Sequence, residues 1–374
     1  MINLTFTGDF APNSSLLNEI DNLNNVDYFG CLLPYLENAD LNVTNLECPV
    51  IDEESKAAKY GPSLATDVRA IKLLQQGHFK LVTLANNHIM DHGEKGLYST
   101  LNKLESASIS YIGAGSNLQN ANLPFVFTQN NVSIGVLNIA ENEFSNTTGS
   151  NPGAAPLDFV DNALAIKELK KNVDFVIVVV HGGAELHHLP SPRFKKTLRF
   201  MADQGANLVI AHHTHCYNGY EIYQNTPIFF GLGNFVFPSK SKSNEDWYLG
   251  VLLSLKIKED LSIDFETIPF FQNHNGMGIS LLDDLSLSKF RERESHKNSI
   301  ISNDIELDNQ YHLFFKKVEK QYLHFLQPYS SKYLHKLYSL GILPSFLQNK
   351  TKKLLYLNLI RCEAHRDILL KILQ

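Results

Sequence analysis

The chain has 374 residues, 44% of them hydrophobic and 19% charged, with a net charge of −6. This allows one or two globular domains around a large core and excludes a globally basic nucleic-acid binder. No apolar run approaches the ~20 residues that span a bilayer. Cys31, Cys48, Cys216 and Cys362 lack CxxC spacing, which excludes a zinc ribbon and a disulfide framework.

In chain order, Ile2-Asn3-Leu4-Thr5-Phe6-Thr7 predicts a strand and carries no signal-peptide pattern. A reduced, cytoplasmic protein, or one peripheral to a membrane, is therefore expected. Up to about residue 115 strands and helices alternate. Strands are predicted at 2–7, 41–46, 80–85 and 109–113, and helices at 29–38, 66–76 and 94–107. Such an order implies a largely parallel sheet with functional loops at the carboxyl ends of its strands. Gly113-Ala114-Gly115-Ser116-Asn117 reads as a turn, short of a GxGxxG loop.

From 124 to 270 strands dominate: 124–128, 132–139, 174–181, 207–211, 219–224, 227–230, 247–257 and 261–269, with helices at 161–171 and 190–204. The β-branched run Val176-Ile177-Val178-Val179-Val180 reads as a strand buried on both faces, and the loop at 142–158 is a candidate lid. Two sheets, each with helices outside it, give an α/β four-layer αββα sandwich over 1–280. Residues 281–374 read as an α-helical C-terminal extension.

In that extension Tyr311, Phe314, Phe315, Val318, Tyr322, Phe325 and Leu326 recur at helical spacing, which marks core or interface. Pro328 and Gly341-Ile342-Leu343-Pro344 separate further helical segments, the last running to 374. Residues 311–374 carry eleven Lys or Arg against three Asp or Glu, so the tail is about +8 and the remainder about −14. The plainer reading is a solvated outer face of docked helices. The alternative is docking on an anionic membrane surface, an acidic polymer or a synthase partner.

Five strand ends carry metal-competent side chains: Gly8-Asp9; Asn45-Leu46-Glu47; Asn86-Asn87-His88 with Asp91; His181-Gly182-Gly183-Ala184-Glu185; and His213-Thr214-His215. Singly, each has a plain alternative as a turn, a cap or a scaffold residue. Together they are hard to attribute to chance, because strand ends converge in an α/β sheet. A bridging carboxylate can hold two divalent cations ~3.5–4 Å apart and turn water into a nucleophile for a phosphorus or carbonyl centre. Asp9 and Glu47 are the only acids at the first two strand ends, so one of them should bridge. Asn87 offers a neutral oxygen, while His181, His213 and His215 offer nitrogen. Alternation along an extended segment would aim His213 and His215 the same way. His88 is placed to stabilise developing charge or protonate a leaving group, with Asp91 three residues on beside it.

These motifs, with Ala85-Asn86-Asn87-His88-Ile89-Met90-Asp91-His92-Gly93, Ala211-His212-His213-Thr214-His215 and Pro227-Ile228-Phe229-Phe230-Gly231-Leu232-Gly233-Asn234-Phe235, resemble the CapA-type (poly-γ-glutamate and capsule synthesis) family over about residues 2–240. That family belongs to the calcineurin-like metallophosphoesterase superfamily. The resemblance implies a four-layer sandwich with two divalent ions (Mn, Fe or Zn). It puts Asp9 and His215 on one ion, Glu47 between the ions, and Asn87, His181 and His213 on the other. His88 takes the phosphate-contacting role, Glu185 marks the CapA branch, and Asn45, Asn86 and Asn234 are expected at the substrate. The chain departs from the superfamily at Asp9-Phe10-Ala11, where Asp-x-His is usual, and Glu185 is the candidate replacement. Gly182 stands for the family's usual Trp, and Ala211 for its Gly.

Two functions follow. One is a metal-dependent hydrolase acting on a phosphorylated or γ-glutamyl substrate in capsule or poly-γ-glutamate synthesis. The other is a non-catalytic assembly factor for a polymer synthase. A nucleic-acid phosphodiesterase is chemically allowed, but no basic-aromatic patch near the motifs favours nucleic acid.

Overall fold

The computed structural model describes residues 1–22, 27–59, 61–238, 245–272, 278–325, 331–345 and 349–361. They fall into two compact units, Met1–Asp308 and Asn309–Gln374.

The first unit holds two large sheets. Among the described residues, the first has eight strands. Ile2–Phe10, Leu41–Leu46, Phe79–Thr83 and Ser110–Ile112 run parallel at its centre and one side. Leu249–Ile257, Ile263–Gln272 and Ile279–Leu281 extend it antiparallel on the other side. Asn234–Val236 also pairs with the first strand. The second sheet has six described strands, in the order Tyr220–Tyr223, Thr226–Phe229, Leu208–His212, Phe175–His181, Val132–Ala140 and Phe125–Gln129.

Alternation decides what lies between the sheets. Phe6, Val43, Leu81 and Leu253 from one sheet meet Val136, Ile177, Val179 and Phe229 from the other in a single apolar layer. The opposite faces are covered by helices. Arg69–Gln76 and Gly93–Ser106 bury Leu73, Leu74, Leu97 and Leu104, and Phe159–Asn172 and Pro192–Asp203 bury Ile166, Leu169, Leu198 and Met201. Full burial of one such side chain contributes about 1.5–3 kcal/mol. The result is the four-layer αββα sandwich, and Val176–Val180 is buried on both faces, as a β-branched run requires.

Caps fix where two of these helices begin. Asp158 accepts from Val160 N and Asp161 N, and Ser191 accepts from Phe194 N with Pro192 in the first turn. The loop at 142–158 is tethered, because Gly153–Ala154 pairs with Ala114–Gly115.

Helix Asp284–Ser302, read from the sequence as part of the extension, packs within the first unit. It buries Phe290, Glu294, Ile300 and Ile301. Periodicity alone could not place it, since its apolar residues are few and scattered among charges.

In the second unit, Tyr311, Phe314 and Val318 of helix Asp304–Phe325 are half-buried and Phe315 is exposed. The side chains of Tyr322 and Phe325, and residues Leu326, Pro328 and Cys362, lie outside the described residues. Helices Lys332–Ser339 and Lys350–Arg361 follow.

Candidate metal centre

The first strand ends irregularly. Its pairing with Leu41–Leu46 slips between Phe6 and Asp9, and a Cβ on Gly8 would overlap the Gly233 carbonyl. Only glycine lets the Gly233 backbone come that close. The approach sets Asn234 opposite Asp9, beside the neighbouring pair Asp9–Asn45. Three polar residues from three strands thus meet at one sheet end. The second sheet delivers His181 and His212 at the matching ends of two parallel neighbours.

The side chains converge. Asn45 Nδ2 donates to Asp9 Oδ1 at 2.7 Å and to Glu47 Oε2 at 3.4 Å, and lies 3.3 Å from His181 Nδ1. Glu47 Oε1 sits 3.8 Å from His181 Nε2 and 3.7 Å from His215 Nε2. Asp9 Oδ2 lies 3.4 Å from His215 Nδ1 and accepts from His213 N at 3.2 Å. Asn87 Oδ1 is 3.1 Å from His181 Nε2. Three sets of ligand atoms lie within 4.8 Å of one another: Asp9, Glu47, His215; Glu47, His181, His213; and Glu185, His213, His215. Glu47 belongs to the first two.

The donor set fits borderline divalent ions. Glu47 Oε1 and His213 Nδ1 are buried without a hydrogen-bond partner among the described residues. Orphaned buried polar atoms cost about 1–3 kcal/mol each, and a cation between Glu47 and the imidazoles would satisfy the carboxylate.

Electrostatics separates the two acids. Burial pushes Asp9 up, but His215, His212 and His181 outweigh it and hold the carboxyl well below its ordinary range. For Glu47, burial and then the charge of Asp9 push the group well above its ordinary value. Without an ion, one carboxylate and one neutral acid share the pocket. Burial, then His213, keeps His181 well below 6.5, and burial, then His215, takes His213 down to about 4. Both imidazoles are therefore neutral at pH 7, the form that ligates.

His213 and His215 do not lie on an extended segment as alternation suggested. Both adopt left-handed φ, 91° and 53°, in a bend that still brings their ring centroids to 6.0 Å. His215 Nδ1 donates to Asn234 Oδ1 at 2.9 Å, and Asn234 is held in turn by donating to Trp247 O. Phe237 and Trp247 pack on the His215 ring.

Asn45, Asn86 and Asn234 are fully buried and bonded within the protein. Asn45 donates to Asp9, and Asn234 accepts from His215, so both hold ligand candidates directly. Asn86 donates to Leu46 O and accepts from His88 N, fixing the turn that carries Asn87 and His88. Glu185 is exposed at the rim.

His88 Nδ1 meets Asp91 Oδ2 at 2.6 Å, and Asp91 also accepts from Leu64 N. The Lys59 side chain, only 6% exposed, ion-pairs with Asp91 and lies 3.3 Å from His88 Nδ1. Sequence reasoning missed Lys59, because its loop has no periodicity. It also missed His212, 3.5 Å from Asp9 Oδ1, and two acids after strand Val132–Ala140. Glu141 accepts from Gly183 N, while Glu143, raised chiefly by burial, bonds Asn87. A search for polar residues after apolar runs would have found Glu141. A Cβ at Gly182 would meet the Glu141 side chain at 2.6 Å, so a larger residue there requires Glu141 to move.

A four-layer sandwich with carboxylate, amide and imidazole groups gathered at adjacent strand ends defines the class: an α/β protein with a cation-competent cluster at its sheet ends. The profile described as "Bacterial capsule synthesis protein PGA_cap" matches residues 3–239, and the chain belongs to that family. It is 31% identical over 246 residues to "Capsule biosynthesis protein CapA" of Bacillus anthracis, covering 63% of this chain and 60% of that protein's length. It is 28% identical over 278 residues to "PGA biosynthesis protein CapA" of Bacillus subtilis (strain 168), covering 72% of this chain and 71% of that protein. Every ligand candidate lies inside the matched span, whereas Trp247 and helix Asp284–Ser302 lie outside it.

Proposed function

We propose that the chain is a metal-dependent hydrolase of the metallophosphoesterase type, acting in the synthesis or modification of a capsule or poly-γ-glutamate surface polymer. The observation that carries this reading is Glu47 Oε1, buried, unpartnered, and between the His181 and His215 nitrogens. Asp9, Glu47 and His215 would hold one divalent ion (Mn, Fe or Zn), and Glu47, Asn87, His181 and His213 a second. Glu185 is close enough to His213 and His215 to complete either position. Divalent ions supply Lewis acidity there, which polarises a phosphoryl or carbonyl oxygen and makes water nucleophilic at neutral pH. Asn45 orients Asp9 and Asn234 orients His215.

His88 is the acid in this scheme. Asp91 accepts from Nδ1–H, so it is the imidazolium form of His88 that would act, passing its Nε2 proton to the departing group and ending as the neutral Nδ1–H tautomer. Lys59 pairs with Asp91 and offsets its buried charge. The test is hydrolysis of phosphodiesters and of γ-glutamyl amides by protein loaded with manganese. Turnover that falls ~10²–10⁴-fold in His88→Ala supports the reading. Loaded protein that leaves both substrates untouched refutes it.

A second reading, a non-catalytic assembly factor for a polymer synthase, is favoured by position 11. Ala11 stands where the superfamily has a ligand, and its amide is committed to Val236 O at 2.7 Å. Cellular polymer synthesis that survives His88→Ala would favour that reading over catalysis.

A further inference from the structure

Residues 331–361 contain six Lys or Arg and no Asp or Glu. Ordinary protein surfaces mix both signs, so a run this one-sided marks a preference for anionic surroundings. The same stretch leaves large apolar side chains in water. Tyr333 is 71% exposed, Leu340 and Ile342 are 64%, and Leu354 is 56%.

The two features interleave. In helix Lys332–Ser339, capped by Ser331, Lys332 and Lys336 are one turn apart, and Tyr333 and Leu337 form the adjoining stripe. In helix Lys350–Arg361, Lys352 and Lys353 directly precede the exposed pair Leu354 and Leu355. Among the described residues no helix is long and apolar enough to cross a membrane.

We propose that helices Lys332–Ser339 and Lys350–Arg361 are interfacial and lie on an anionic phospholipid surface, with their lysines at the headgroups and Tyr333, Leu337, Leu354 and Leu355 in the upper acyl region. Charge complementarity and apolar exposure together select this occupant. A soluble polyanion would neutralise the lysines but leave the leucines wet. A lipid surface accommodates both in one plane. The segment is sequence-remote from the carboxylate–imidazole cluster, and the inference holds whether or not that cluster hydrolyses anything.

The experiment is co-sedimentation of the full-length protein with vesicles of phosphatidylglycerol and phosphatidylcholine in equal parts, against phosphatidylcholine alone. Binding to the first and not the second is expected. Lys332→Glu with Lys336→Glu lowers binding about tenfold or more, at roughly one charge contact per residue. Leu354→Ser with Leu355→Ser lowers it comparably, and circular dichroism verifies that both variants keep their helices. His88→Ala binds vesicles as the unaltered protein does, so failure of the hydrolase reading and failure of this one give different results. No binding to anionic vesicles overturns the proposal. So does binding that the lysine variant loses and the leucine variant keeps, particularly if free poly-γ-glutamate competes for it, because a polyanion site would behave that way.

Discussion

Two buried polar clusters, both in the first unit, solve the same problem in opposite ways. In one, Glu294 accepts from Tyr217 Oη at 2.6 Å, Thr267 Oγ1 at 2.9 Å and Arg291 at 2.9 Å, and none of its described atoms is left unpartnered. In the other, Asp9 and Glu47 crowd together at the strand ends, Glu47 Oε1 has no hydrogen-bond partner among the described residues, and the nearest described imidazole nitrogens stand off at 3.7 and 3.8 Å. The first cluster is closed and joins helix Asp284–Ser302 to the sheets. The second is open in the electrostatic sense, with acceptors arranged around a gap that suits a cation. Burial alone therefore does not separate scaffold from site. Hydrogen-bond completeness separates these two clusters.

The comparison breaks if the closed cluster responds to metal. Glu294→Ala strands the Tyr217 hydroxyl and leaves Arg291, itself partly solvated, without its acid. We expect about 3–4 kcal/mol of lost stability by denaturant unfolding, with metal content per chain unchanged. A variant that loses metal instead would make the two clusters one system.

Acid sensitivity sharpens the comparison next. His181 and His213 have folded-state values below the unfolded 6.5. The unfolded chain therefore takes up their protons first. Their contribution is full above about pH 6.5 and is lost as pH falls, for His213 down to about 4, where its share is roughly 3 kcal/mol. Glu47 has the opposite sign. Its raised value gives a contribution that is full below its ordinary 4.5 and lost as pH rises. Thermal melts of chelator-treated protein should thus fall away on the acid side, and His213→Asn should flatten that limb. An unchanged limb would mean that the His213 imidazole is not held neutral by its surroundings.

Glu47→Gln comes third. It keeps the volume but removes the charge shared by two ligand groups, so manganese affinity should fall by at least the ~10–100-fold that loss of an outer hydrogen-bond partner costs, in a direct titration. The metal-free protein should become more stable above neutral pH, because the repulsion with Asp9 is gone. Unaltered metal affinity would exclude Glu47 as the shared ligand.

How much of this was legible depended on local pattern. The strand-to-site register was readable because Asp9 and Glu47 follow alternating strand patterns and His181 and His213 follow continuous apolar runs, and such strands end at one edge of a parallel sheet. Lys59, Trp247 and Phe237 were not readable. They reach the cluster from loops or from the one-turn helix Glu245–Tyr248, whose courses are set by long-range packing and leave no periodic trace. The bend at His213-Thr214-His215 was hidden for a related reason, since left-handed φ at non-glycine residues is imposed by the surrounding fold and not announced by residue type. Helix Asp284–Ser302 was assigned to the wrong neighbours in sequence because its key contacts are a buried acid and two aromatics, not an apolar stripe.

The finest distinction between the clusters comes from Tyr217→Phe. Burial, then Glu294, pushes the Tyr217 hydroxyl well above 10, so it stays protonated and acts only as a donor across the usable pH range. Removing it leaves Thr267 and Arg291 still donating to Glu294, so the acid is not orphaned, and the ring's packing against Phe290 is kept. The loss should be about 1 kcal/mol, that of one net hydrogen bond, and it should be the same with chelator as with manganese. A cost that appears only in the metal-loaded form would place Tyr217, two residues after His215, in the support of the cation cluster. The division between a closed scaffold and an open site would then have to be redrawn through that residue.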